Sequence, residues 1–334
     1  MNRRDARAGW NRHLWLGLLL AAGACRTPGA VAFDPRAEPV RFHEARRAEV
    51  RRRVAEFEAK DGKRLGYVEY RAADPRAVLV YLHGIESHAG WFEAAAEALC
   101  ASGYDVYCLD RRGSGINREN RGFTSGHVDD FETLLADIES FLDGFADRRL
   151  PLFLVGLSWG GKLALAYNLT HPDQLDGLVL ITPGLVARVA PGVLDQLGIF
   201  TATWLYPTAQ FKTPIEPEMF TTTPEYLDKL RRDPLRLRYA SARFFYQSVR
   251  LDGLIEDRIE QNQTPIQLFL AGRDQIICNE GVVELLLKGG RERLEVVRYE
   301  DQTHSIQFDA TDRMVQGMSA WIEKVGPRSI PVER

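Results

Sequence analysis

Pro151-Leu-Phe-Leu-Val-Gly-Leu-Ser-Trp-Gly-Gly161 carries a short apolar run straight into Gly156-Leu157-Ser158-Trp159-Gly160. The run reads as a buried strand, and the glycines bracketing Ser158 read as a tight turn that opens a helix. Positions 156 and 160 need glycine because side chains there would collide with the neighbouring strand and helix. Such a turn strains the serine and lifts its Oγ toward solvent, which makes Ser158 the first candidate for a covalent catalyst. The same residues come close to a phosphate-binding loop, with Gly156, Gly161 and Lys162 at the right spacing. The next residue, Leu163, has no oxygen for Mg²⁺, and Trp159 is too bulky for a loop that closes around phosphates, so nucleotide binding is set aside.

Outward from this turn the strand-and-helix alternation continues in both directions. Upstream lie strand patterns at Ala77 to Leu82 and Tyr104 to Leu109, with helices near Trp91 to Ala101 and Asp129 to Phe145. Downstream come a helix from Gly160 to Asn168 and strands at Gly177 to Ile181, Pro265 to Ala271 and Leu294 to Tyr299, then a last helix through Met318 and Ile322. Near-continuous apolar strands between helices predict a mostly parallel, twisted α/β sheet covered on both faces. Two alternating segments around Asp61-Gly62 predict a leading β-hairpin from Val54. From 184 to 262 the alternation stops, and an aromatic, Pro-punctuated stretch predicts an inserted helical cap. The core is then 54–183 plus 263–326. Within the cap, Val193, Leu197, Phe200 and Trp204 fall on one helical face, widened by Leu194 and Leu205, and are expected to pack mainly between cap and sheet.

The 334 residues are 45% hydrophobic and 27% charged, an ordinary globular balance, and the net charge of −3 leaves no nucleic-acid footprint. The N-terminus differs. Arg3, Arg4, Arg7 and Arg12 precede an apolar run from Leu14 to Ala24, the shape of a signal peptide over 1–24. Its end, Ala22-Gly23-Ala24-Cys25, is similar to a bacterial lipobox, so Cys25 is expected to carry lipid and hold the protein to a membrane of the cell envelope. Simple secretion or an uncleaved anchor are the alternatives. Arg3-Arg4 lacks the apolar context of twin-arginine export. Residues 25–53, rich in Arg and Glu, read as a tether or exposed helix. Cys100, Cys108 and Cys278 remain, an odd number, so at least one thiol is free. With no cysteine pair at metal spacing and no H-E-x-x-H, neither a metal site nor a cofactor is expected.

A serine hydroxyl needs a histidine base, a carboxylate to orient it and donors for an oxyanion. His304, in Glu300-Asp-Gln-Thr-His304, follows the strand ending at Tyr299 and is the expected base, whereas His171 ends the helix behind the serine and points away. Asp274, after the strand and glycine turn Leu268-Phe-Leu-Ala-Gly272, is the expected acid, with Asp301 as its rival. At His83-Gly84 a sharp bend after a strand frees the Ile85 N–H to face a substrate carbonyl beside the N–H of Trp159, and His83 itself reads as a packed structural residue.

His83-Gly-Ile-Glu-Ser-His88, Asp110-Arg-Arg-Gly-Ser-Gly115, the turn at Ser158, Asp274 and His304 occur in that order. Together they resemble the monoacylglycerol lipase and lysophospholipase-like, serine aminopeptidase-type branch of the α/β-hydrolases over about Val54 to Val325. The resemblance implies hydrolysis of a carboxylic ester, that of a monoacyl lipid, beneath a helical cap. Trp91 and Asn117 depart from residues frequent in that branch. A peptidase or thioesterase shares the same acyl chemistry, and a catalytically silent envelope binding protein is the reading from another class. The apolar content of the cap, from Leu185 and Val186 through Ile199, Phe200, Trp204, Leu205, Tyr206 and Phe211 to Phe220, favours medium or long acyl chains, since each buried methylene contributes about 0.8 kcal/mol.

Overall fold

The structure, a computed structural model, describes residues 42–43, 50–117, 126–145 and 150–326. In chain order its elements are β1 (Arg51–Glu58), β2 (Arg64–Arg71), β3 (Ala77–Leu82), α1 (Glu93–Ala101), β4 (Tyr104–Leu109), α2 (Phe131–Asp143), β5 (Leu152–Leu157), α3 (Trp159–Thr170) and β6 (Gly177–Ile181). The cap follows with α4 (Val193–Leu205), β7 (Gln210–Lys212), α5 (Pro217–Phe220), α6 (Pro224–Arg232), β8 (Tyr239–Ser241) and α7 (Ala242–Arg258). The sheet then resumes with β9 (Ile266–Ala271), α8 (Asn279–Leu287), β10 (Leu294–Tyr299), α9 (Ile306–Asp309) and α10 (Thr311–Val325).

Eight strands form one sheet in the order β1-β2-β4-β3-β5-β6-β9-β10. The β1–β2 and β2–β4 pairings are antiparallel and all the others parallel. The parallel central strands β3, β4, β5, β6 and β9 are buried along their whole length, as their apolar sequences require when helices cover both faces. Because side chains alternate across a strand, Val78, Val80 and Leu82 of β3 join α2, α3 and α7 in one core layer. Leu79 and Tyr81 join α1 and α10 in the other. The chain leaves β3 toward β4 on one side and returns to β5 on the other, so the strand order reverses between β3 and β5. Ligand sites in open α/β sheets lie at the carboxyl ends of strands at such a reversal, and here His83 and Ser158 occupy those two ends.

Three expectations need correction. The segment 25–53 is not simply a tether. Phe42 is buried, with its ring 5.5 Å from Trp91 and stacked 5.6 Å from Phe308, and β1 starts at Arg51, because the hairpin register continues to Arg51 opposite Arg71. The cap is not wholly helical, since β7 and β8 pair as an antiparallel ribbon. The apolar stripe of α4 does not pack between cap and sheet. Val193, Leu197, Phe200 and Trp204 are exposed, as are Leu194 at 84% and Leu205 at 79%. Only Ile199, Ala202 and Thr203 of this helix are buried. Ile199 and Ala202 cluster with Ala209, Ala242 and Phe245, so α4 is an outer layer resting on α7, and its stripe is wider than α7 can cover.

The segment up to Cys25, with its expected signal and lipidation site, lies outside the described residues. Among the described residues no helix is long and apolar enough to cross a membrane, and Cys100, Cys108 and Cys278 are free thiols.

Candidate active site

The turn at Ser158 is built by close approach. A Cβ on Gly160 would run into the carbonyl oxygen of Leu82 at the end of β3, and one on Gly156 would lie 2.5 Å from the Gly161 Cα. The serine is left at φ 51°, ψ −122°, a region that L-residues with a side chain seldom enter. Its backbone is fastened on both sides, the Ser158 N–H donating to Ile181 O (3.0 Å) and its carbonyl accepting from Gly184 N (2.7 Å).

Thr182, directly after Ile181, brings the histidine to the same strand end. Its Oγ1 donates to the His304 carbonyl at 2.9 Å, and its φ of 39° makes it a second strained non-glycine residue. The loop carrying His304 is also held from the cap, where the Phe220 carbonyl accepts from Ser305 N (2.8 Å) and Thr303 Oγ1 (3.0 Å). The Phe220 ring stands edge-on to the imidazole at 5.9 Å.

His304 Nδ1 meets Asp274 Oδ2 at 2.7 Å, with both side chains buried. The other carboxylate oxygen accepts from the N–H groups of Ile276 (2.8 Å) and Ile277 (3.1 Å). An ionised carboxylate so oriented presents a lone pair to Nδ1, which fixes the proton on Nδ1 and leaves Nε2 as an acceptor. His304 Nε2 is buried with no hydrogen-bond partner among the described residues. The rival acid Asp301 points elsewhere, into an exposed pair with Arg313 at 3.2 Å.

The turn after β3 lies against Ser158, since a Cβ on Gly84 would be 3.2 Å from Ser158 Cβ. Among the described residues no backbone carbonyl accepts from the Ile85 N–H, and the Trp159 N–H is one of the donors that a helix start leaves without an intrahelical partner. His83 is packed beneath this turn, where burial and then the nearby Arg111 charge hold its imidazole well below the usual range. It is neutral, and it accepts from the Arg111 N–H through Nε2 at 3.1 Å.

Several residues that tie the site together were not singled out from sequence. Asp233 of the cap accepts from Trp91 Nε1 (2.8 Å) and pairs with His88 Nε2 (3.0 Å). Glu86 is bound by Arg236 Nε (2.7 Å) and by the Thr213 hydroxyl. The loop after β3 is thus clamped to the cap at two points, and Trp91 is explained by its bond to Asp233. The second departure, Asn117, spans Gly66 and Asp110, accepting from Gly66 N at 2.6 Å and donating to Asp110 O at 2.6 Å. Lys162, the near-match to a phosphate-binding lysine, is paired at 2.7 Å with Asp252 of α7. One signal was available in the sequence, the proximity of Glu86 and His88 to His83-Gly84.

Fold and site together define an α/β-hydrolase, an enzyme class in which a serine at a strand-to-helix turn is served by a histidine and a carboxylate. The family model described as serine aminopeptidase, S33, matches residues 73–311, and the chain belongs to that family. Phospholipase YtpA of Bacillus subtilis is 23% identical over 224 residues, covering 64% of this chain and 82% of the relative. Monoglyceride lipase of Homo sapiens is 22% identical over 257 residues, covering 75% and 83%. Among solved structures, a soluble variant of monoglyceride lipase from Saccharomyces cerevisiae, in complex with a substrate analog, superposes with a TM-score of 0.71 at 20% identity, covering 81% of this chain and 94% of that one.

Proposed function

We propose that this carboxylic ester hydrolase cleaves monoacyl lipid esters, a monoacylglycerol or a lysophospholipid, through an acyl-enzyme. The observation that carries the chemistry is the buried His304–Asp274 pair fastened through Thr182 to the strand end that also holds Ser158. Ser158 Oγ attacks the ester carbonyl while His304 Nε2 takes its proton. The tetrahedral oxyanion is held by the N–H groups of Ile85 and Trp159. Collapse of the adduct breaks the ester C–O bond, and His304 returns its proton to the leaving alcohol. Water, deprotonated by the same Nε2, attacks the acyl-serine, and the acid leaves as Ser158 regains its proton.

A lipid substrate is favoured by the exposed face of α4, where Val193, Leu194, Leu197, Trp204 and Leu205 stand open on the cap. A patch of that kind marks an interaction surface more often than chance exposure, and the names of the relatives point to the same substrate class. The test is kcat/KM on monoacylglycerols and p-nitrophenyl esters from two to sixteen carbons below their aggregation thresholds, repeated with lysophospholipid and monoacylglycerol in vesicles. The rate should rise with chain length. Replacing Leu194, Trp204 and Leu205 by serine should lower the vesicle rate about tenfold or more and leave soluble short esters within about twofold, since each exposed apolar side chain that enters lipid contributes about 1.5–3 kcal/mol. A rate that falls beyond four carbons, or faster turnover of aminoacyl anilides or acyl-CoA, would replace the lipid reading with a small-ester esterase, a peptidase or a thioesterase.

The N-terminal sequence adds a second attachment to lipid. Cys25 is proposed to be the acylated first residue of the mature protein, in the envelope of a bacterium. Cys25→Ser should then shift the protein from the membrane fraction to the soluble one and abolish incorporation of labelled fatty acid. A wild type that incorporates none would indicate secretion or an uncleaved anchor.

A further inference from the structure

Arg111, the first residue past the Asp110 that follows β4, makes a set of contacts that the catalytic scheme does not yet use. Its Nη1 donates to Gly84 O at 2.8 Å and lies 3.3 Å from His83 O, and its Nη2 donates to Ile85 O at 2.6 Å. Its guanidinium carbon sits 5.0 Å from the centre of the Trp159 ring and 5.7 Å from that of Phe244 on α7. One planar cation therefore holds the turn that carries one oxyanion donor and lies over the side chain of the residue that carries the other.

The contact to Gly84 O decides a direction. In a trans peptide the C=O of one residue and the N–H of the next point oppositely in one plane, so fixing Gly84 O toward Arg111 fixes the Ile85 N–H away from it. His83 Nδ1 reaches the same oxygen at 2.8 Å. Because His83 Nε2 accepts from the Arg111 N–H, its proton is on Nδ1, and two donors converge on that carbonyl. Glycine at 84 leaves this peptide plane conformationally free, and nothing in the turn's own backbone would hold it. We propose that Arg111 is the positioning residue of the oxyanion site, its fork setting the plane of the Gly84–Ile85 peptide so that the Ile85 N–H is aimed before substrate arrives. A lysine carries three donors on a rotatable tip, whereas guanidinium offers its donors in a fixed fork that sets two carbonyls relative to each other. The next residue, Arg112, serves a different purpose, binding Asp137 of α2 and Asp61 of the hairpin at 2.6 Å.

The proposal rests on the acyl-enzyme reading, and the test keeps the two apart. Arg111→Lys and Arg111→Gln are compared with wild type for Tm, for kcat and KM on a soluble p-nitrophenyl ester, and for two inhibitors: an alkyl boronic acid, whose serine adduct places an oxygen in the oxyanion site, and an unreactive ether analogue of the substrate. Removing one oxyanion donor outright costs about 10²–10³ in kcat, so misaiming one should cost about 10–100-fold. Boronate affinity should fall in parallel with kcat/KM, while KM and ether binding stay within about threefold. The Gln variant, which lacks the cation and its fork, should fall at least as far as the Lys variant. Wild-type kcat in Arg111→Lys would overturn the fork. Equal weakening of boronate and ether would show loosening of the whole pocket and overturn the positioning role. Turnover and boronate binding that survive Ser158→Ala would instead sink the acyl-enzyme reading, whatever Arg111 does.

Discussion

Ser158→Ala should abolish fluorophosphonate labelling and reduce esterase turnover by about 10⁶, the order observed when a serine protease loses its nucleophile. The variant lacks the only atom able to form the acyl intermediate, and alanine fills the turn without any new clash because it keeps the Cβ and drops Oγ. Its Tm should stay within a few degrees of wild type, since Ser158 Oγ makes no cap hydrogen bond at the start of α3. The backbone bonds to Ile181 and Gly184 do not depend on that oxygen. Unchanged turnover in a folded variant would dispose of the whole mechanism.

Asp274→Asn is the second large effect, about 10⁴ in kcat, the magnitude known for a protease triad held in the wrong tautomer. The reason lies in how the carboxylate is held. Ile276 and Ile277 both donate to Oδ1, so an asparagine must turn its carbonyl oxygen to them and present its NH₂ to His304 Nδ1. That nitrogen must then accept, and the imidazole proton moves to Nε2, the atom that has to take the proton of Ser158. Folding should be little affected, because both backbone donors remain satisfied. If Asp301→Asn produced the loss instead, the exposed carboxylate paired with Arg313 would be the acid.

How much of this was readable from the chain depended on whether a local rule governed each feature. The parallel strands announced themselves because burial on both faces forces continuous apolar runs such as Leu152 to Leu157, and Gly156 and Gly160 were legible because close packing permits nothing larger. Ser158, Asp274 and His304 are candidates from their positions after strands, and the structure pairs the last two at 2.7 Å. The cap was less readable. The stripe on α4 obeys helical periodicity whether it faces protein or solvent, and sequence does not say how wide a partner α7 is. Phe42 looked like part of a charged tether because the rings that bury it, Trp91 and Phe308, come from far along the chain. Arg111 was hidden for a similar reason: one of two adjacent arginines reaches the turn after β3 and the other the hairpin and α2, and only the third dimension separates their tasks.

Among the described residues only Ser158, Asp173 and Thr182 combine a side chain with positive φ, and two of these three directly follow the neighbouring strands β5 and β6 at the candidate active site. Strain of that type costs about 1–3 kcal/mol per residue, a sizeable share of the 5–15 kcal/mol by which a folded domain usually prevails. The molecule is therefore not at the thermodynamic optimum its topology permits. A selection for heat tolerance alone, blind to turnover, would drift toward glycine at 158, whereas at 182 the buried hydroxyl that binds the His304 carbonyl opposes the same change. Thermal robustness and the proposed reactivity pull in opposite directions at Ser158, and any programme that improves the first must leave that residue untouched.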